Sequence, residues 1–170
     1  NMSSWVAKPS TVLLIKEVHL RVKNNLTIVS GLINLQSNKV KDDYHKTHFD
    51  EHRSKINSIA VIHELIYKSK NLTQINLKNY INEISFNLQE VYQSDARRIE
   101  ISTNIEEVVI ELDIALPLGL IVNEVITNSF KHAFKGKTPG KISISLKKIF
   151  DKIQLQISDN GKSTILEDRH

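Results

Sequence analysis

From Ile15 the apolar positions fall at Ile15, Val18, Val22, Leu26, Val29, Ile33 and Val40, mostly three or four residues apart. That spacing predicts a helix with one narrow apolar seam, which suits a partner helix better than a broad core. A second helical pattern, Ile56, Ile59, Ile62 or His63, and Ile66, follows the polar stretch KVKDDYHKTHFDEHR. The two read as an antiparallel hairpin joined by that stretch. One hairpin leaves its seam wet, and pairing two into a four-helix bundle covers it, so a homodimer is expected.

KSKNLTQ then breaks the periodicity, and Asn76 is placed to cap a helix carrying Leu77, Tyr80, Ile81, Ile84, Leu88 and Val91. Alternation at Ile99, Ile101 and Thr103, at Val108, Ile110 and Leu112, at Ile142, Ile144 and Leu146, and at Ile153, Leu155 and Ile157 predicts four strands. Between the second and third lies a helix from about residue 115 to residue 134, with Pro117 tolerated in its first turn. The expected organisation is a helical hairpin over residues 1–70 and an α+β unit over residues 71–170, its helices layered on a sheet.

Composition works mainly by exclusion. A chain of 170 residues, 40% of them apolar, can bury a real core. It has no cysteine, which removes disulfides, thiolate zinc sites and a cysteine nucleophile and makes the cytoplasm the expected location. The longest apolar run, residues 114–122, contains Pro117 and Gly119 and falls short of the roughly 20 residues of a membrane span. The opening NMSSWVAKPS lacks the layout of a signal peptide and reads as a cut from a longer polypeptide. The net charge of +4 is scattered among 19 acids with no basic run, so nucleic acid is not an expected partner.

Within LGLIVNEVITNSFKHAF, helical spacing puts Val122, Val125, Ser129 and Ala133 on one face, suited to a sheet. The opposite face carries two rows, Asn123 with Thr127 and Lys131, and Glu124 with Asn128 and His132. Amide and carboxylate oxygens suit Mg²⁺, and a lysine neutralises phosphate, so the set suits a magnesium nucleotide. A solvated helix face has the same pattern, and spacing leaves both open. ISDNG ends a strand with an aspartate before a turn. Such a carboxylate can hold an exocyclic amine such as that of adenine, or the segment is a plain turn.

NGKST and GKTPGK end like a phosphate-binding P-loop, but the glycine needed five residues before Gly161 is Gln156, and before Gly136 it is Lys131. His45, His48 and His52, near Asp50 and Glu51, have zinc-ligand spacing only if that segment is helical; otherwise it is a polar connection. His63 falls on or near the seam of the second helix and reads as a structural histidine. EVHLRVKNN gathers a histidine, cations and amides in about two and a half helical turns. If Val18, Val22 and Val29 face the bundle core, position 20 lies about 200° from Val18 and points outward, while His19 sits about 100° away on the flank. Arg21 and Lys23 can neutralise phosphate, and Asn24 and Asn25 can orient a water or the imidazole.

LLIKEVHLRVKNNLTIVSGLINLQ and LPLGLIVNEVITNSFKHAF together resemble the HisKA_2 sensor histidine kinases, relatives of the HWE kinases. The first motif is similar to their dimerisation and phosphotransfer helix, the second to the N-box of a GHKL-type ATP-binding domain, and ISDNG to its G1 box. The resemblance implies a dimeric four-helix bundle followed by a partial GHKL-type α/β sandwich. It implies ATP and Mg²⁺ as cofactors, with Asn128 on the metal, Asn123 and Lys131 facing the phosphates, and Glu124 polarising the attacking group. Asp159 would hold adenine, His132 matches the N-box histidine, and Gly161 lets the backbone approach the nucleotide. The implied reaction moves the ATP γ-phosphoryl group to a histidine and then to an aspartate of a response regulator.

The family usually has two adjacent histidines before the arginine, where this chain has His19 and Leu20. The second is the one most expected to carry phosphate, so His19 is left as the phosphoacceptor. Family members continue past the G1 box with an ATP lid and a G2 glycine motif, which makes a truncated ATP-binding domain the expectation. The tryptophan-containing G1 variant of the HWE kinases is absent. The rival is a degenerate, non-catalytic module that dimerises and docks a regulator. A GHKL ATPase of the chaperone or repair kind would have no use for EVHLRVKNN.

Overall fold

The computed structural model describes residues 9–92, 98–134 and 139–161. They belong to two compact units, one reaching Ile75 and including Ile110–Leu116, the other taking Asn76–Val109 and the chain from Pro117.

The first unit is an antiparallel hairpin of α1 (Pro9–Ser37) and α2 (Asp43–Lys68). Proline suits the first residue of α1, where its missing N–H would have no helical partner. The polar stretch expected to join the helices is mostly helix itself, because α2 starts at Asp43, thirteen residues before Ile56, with Asp42 as its cap. Asp42 is extended, and its Oδ1 accepts the Tyr44 N–H at 3.1 Å. The first turns of α2 have no apolar stripe because Tyr44 to His48 all stay exposed.

The two helices meet through a polar ladder as much as an apolar seam. Asn34 accepts a bond from Arg53, Ser30 donates to Asn57 at 2.9 Å, Lys23 lies 3.7 Å from Glu64, and His19 touches His63. Val22, Leu26 and Ile33 are half-buried between these rungs. Ile15, Val18 and Val29, expected on the same seam, are exposed, as are Leu14, Ile28, Leu32 and Leu35. Helix α1 therefore has two apolar faces, and α2 covers one.

In the second unit, β2 (Ile99–Ile105), β4 (Gly140–Ile149) and β5 (Lys152–Asp159) form a sheet in the order β2-β4-β5. Strands β2 and β4 are parallel from Ile99↔Gly140 to Ile105↔Leu146, and β4 and β5 are antiparallel. The core of this unit includes Tyr80, Ile81, Ile84 and Leu88 of α3 (Leu77–Tyr92), Val122 and Ile126 of α4 (Leu112–Asn128), and Ile142, Ile144 and Leu146 of β4. Asn76 caps α3 as expected, its Oδ1 accepting the Asn79 N–H at 3.3 Å.

Two expectations change. The second alternating stretch yields only β3 (Val109–Glu111), which pairs with β1 (Gln74–Asn76) and stays outside the three-stranded sheet. Helix α4 begins at Leu112, so Pro117 lies in its second turn, where a helical N–H is lost. Among the described residues no helix is long and apolar enough to cross a membrane.

Candidate functional site

His19 sits on the face of α1 that meets α2. Its Nδ1 lies 2.8 Å from Nδ1 of His63, with the ring centroids 5.0 Å apart and the planes tilted by 39°. Partial burial lowers the pKa of His19 from its ordinary value. His63 is lowered as well, first by burial and then by the neighbouring charge of His19. His63 is thus the direct partner of His19, a relation that no helical period within one segment could reveal.

The surrounding charges pair among themselves. Arg21 binds Glu17 through Nη2 at 2.6 Å and Nε at 3.1 Å. Glu64 takes Lys68 at 2.7 Å and Lys23 at 3.7 Å, and the Lys68 bond is the main cause of its lowered pKa. Leu20 is half-buried, while Asn24 and Asn25 are exposed.

The histidines of early α2 do have helical spacing, but His45 and His48 are each bound to a carboxylate. His45 Nδ1 lies 2.6 Å from Asp42, and His48 Nδ1 lies 3.1 Å from Glu51. Among the described residues no group of three or more histidine, cysteine or acidic side chains could hold a metal ion.

The other candidate residues belong to the second unit. After Asn128 the α-helical ladder gives way to a π-helical turn, Ser129–Ala133, in which Ser129, Phe130 and Ala133 are buried. A π turn holds an extra residue, so the rows drawn with the 3.6-residue period do not continue to Lys131 and His132. Asn123 and Thr127, expected on an open polar face, are buried at 1% and 3% exposure. The Thr127 hydroxyl has no hydrogen-bond partner among the described residues. Glu124, Asn128 and His132 are exposed, and Lys131 is half-buried. Val125, expected to pack on the sheet, is exposed, and Ile126 is buried instead.

The end of β5 is joined to this π turn. Ser129 Oγ donates to Asp159 Oδ2 at 2.8 Å, and the Gly161 N–H donates to Asp159 Oδ1 at 3.0 Å. A Cβ on Gly161 would lie 2.3 Å from the Ala133 carbonyl oxygen, so only glycine permits this approach. Asn160 secures the turn from the other side, its N–H donating to the Lys141 carbonyl at 3.0 Å and its Oδ1 accepting the Lys141 N–H at 2.7 Å. ISDNG is therefore a clasped turn, and Ser129 is a participant that the sequence pattern had assigned to plain packing.

Each Asp159 oxygen accepts one of these bonds and has further lone pairs to offer, a property suited to an exocyclic amine. Asn128 has an amide oxygen, Glu124 a carboxylate and Lys131 an ammonium, groups whose individual chemistry suits Mg²⁺ or phosphate.

Residues 17–92 match the HisKA_2 family model, described as a histidine kinase. The chain is 28% identical over 157 residues to the sensor histidine kinase PdtaS of Mycobacterium tuberculosis, covering 92% of this chain and 30% of that protein. PdtaS of Mycolicibacterium smegmatis is also 28% identical, over 150 residues. A segment of 52 residues is 48% identical to the serine-protein kinase RsbW of Listeria innocua, covering 31% of this chain and 33% of that protein. The chain thus spans under a third of the PdtaS proteins. Its fold matches the histidine kinase domain of the Erythrobacter litoralis EL346 blue-light activated histidine kinase, with a TM-score of 0.62 over 90% of this chain and 73% of that one, at 18% identity.

Proposed function

We propose, from the premise that residues 17–92 belong to the HisKA_2 histidine kinases, that the chain is part of a sensor kinase that phosphorylates its own histidine with ATP. His19 is the phosphoacceptor, and an aspartate of a response regulator receives the phosphate in turn. The observation that carries this reading is the setting of His19, the one imidazole of α1, followed by Arg21, Lys23, Asn24 and Asn25. Reactions of this class rest on positioning and charge neutralisation, which such a helix supplies.

In the second unit Asp159 would hold adenine, and Asn128 would coordinate Mg²⁺. Asn123 and Lys131 would serve the phosphates, Glu124 would polarise the attacking group, and His132 and Gly161 would complete the N-box and G1 surroundings. The metal would neutralise charge on the phosphates. The clasp of Asp159 by Ser129 and Gly161 supports the adenine role, because it fixes a carboxylate that keeps unused lone pairs. The kinase would act in the cytoplasm as a homodimer through the exposed face of α1.

A second reading, a module that dimerises and docks a regulator without phosphorylating itself, is favoured by Leu20 standing directly before Arg21. Incubating the longer kinase with radiolabelled ATP separates the two. Acid-labile label that disappears in His19→Ala supports the kinase, whereas label that survives His19→Ala, or that only Leu20→His acquires, overturns His19 as the acceptor.

A further inference from the structure

The contact between His19 and His63 is a hydrogen bond between two Nδ1 atoms, and it constrains the chemistry of His19. At 2.8 Å a single proton lies between them, so one ring donates and the other accepts. In either tautomer Nδ1 of His19 is covered by the His63 ring. Only Nε2 remains for attack on phosphorus, and it carries a lone pair when His19 is the donor.

We infer that His63 is the general base of histidine phosphorylation, accepting the Nδ1 proton of His19 as Nε2 takes the phosphoryl group. This rests on the reading of His19 as phosphoacceptor. The Nε2 lone pair forms the N–P bond, the bond from γ-phosphorus to the β–γ bridging oxygen breaks, and ADP leaves with that electron pair. The new imidazolium would be a poor product, since its positive ring invites return of the phosphoryl group. Passing the Nδ1 proton to His63 leaves a neutral phosphoimidazole beside a His63 imidazolium. The same bond then persists with its direction reversed, His63 now donating.

The neighbouring acids are poorly available for this proton. Glu17 is held by Arg21, and Glu64 is held by Lys68 and Lys23. Lys16, one turn before His19, can only donate. Partial burial keeps His63 neutral near pH 7 and so able to accept. On the two helices that form this contact, His63 is therefore the base in reach.

The test uses a donor that needs no nucleotide site. The 170-residue chain is treated with potassium phosphoramidate, and the rate and the phosphorylated nitrogen of His19 are read by mass spectrometry and ³¹P NMR. Phosphate on Nε2 is expected, with a rate that falls at acid pH as His63 becomes protonated. His63→Gln, which can accept the hydrogen bond but not the proton, is expected to react about 100-fold more slowly at neutral pH, with the acid limb that remains being that of the His19 nucleophile itself. Added imidazole is expected to restore His63→Ala, with circular dichroism confirming that each variant stays helical. A folded His63→Ala reacting at the wild-type rate, or phosphate on Nδ1, overturns the inference.

The same variants in the longer kinase with ATP separate the two ideas. If phosphoramidate labels His19 in a His63-dependent way but ATP does not label it, the kinase reading falls and the base survives. If ATP labels His19 equally with and without His63, the base falls and the kinase reading stands.

Discussion

Ser129 Oγ donates to Asp159 Oδ2 at 2.8 Å, joining the π turn after α4 to the last residue of β5. Ser129 is mostly buried, so its hydroxyl has little access to water as a substitute partner. Ser129→Ala should therefore lower stability by about 1 kcal/mol, the usual value for a lost hydrogen bond, read as a drop in Tm of about 2–4 °C. An unchanged Tm would mean that the bond contributes nothing beyond its geometry.

Gly119 on α4 lies against the ring of Tyr80 on α3. A Cβ placed there would come within 2.3 Å of the Tyr80 ring and hydroxyl. Tyr80 is fully buried, and burial raises its pKa far above the ordinary value, so the ring has nowhere to retreat. Alanine improves helix propensity by up to about 1 kcal/mol, whereas overpacking costs about 1–3 kcal/mol. Gly119→Ala should therefore be destabilising in urea titration. A gain in stability would show that α3 and α4 can separate at little cost.

The elements with strong periodicity were legible from sequence. The cap at Asn76, the buried stripe of α3 and the alternation of β4 follow from hydrogen bonding and burial within one segment. What the pattern missed arises where two segments meet. The first turns of α2 carry polar residues on every side, and only the Asp42 cap announces them. The π turn changes the period after Asn128, so the polar rows drawn through Asn123 and Glu124 do not continue to Lys131 and His132, although Ser129 and Ala133 are buried as expected. The bonds from Ser129 to Asp159 and from His19 to His63 join positions 30 and 44 residues apart, beyond the reach of any local spacing rule.

Helix α1 presents Ile28 and Leu32 at 62% and 57% exposure, on a face that α2 does not cover. If two copies pair through it, the double variant Ile28→Asp and Leu32→Asp should be monomeric by light scattering and still helical, because neither side chain supports the hairpin. Val22→Asp, by contrast, should damage the hairpin itself, since Val22 is half-buried between the ladder rungs. A monomeric unmutated chain would remove the dimer from the proposed function.

Acid should loosen the hairpin through the His19 and His63 pair. Both groups have folded pKa values below their ordinary 6.5, with burial the first cause in each. Below pH 6.5 the unfolded chain therefore binds protons more readily at these positions, and stability must decrease as pH falls from 6.5 through the lowered folded values. Above 6.5 both states are largely neutral and the contribution is flat. The expected observation is a Tm that falls between pH 7 and pH 5, followed at 222 nm, with a shallower fall in the His19→Gln, His63→Gln double variant. The other histidines are common to both proteins and so do not enter the difference. Equal slopes for the two proteins would show that the pair titrates as freely in the folded hairpin as in the open chain. That would contradict the burial from which the prediction starts.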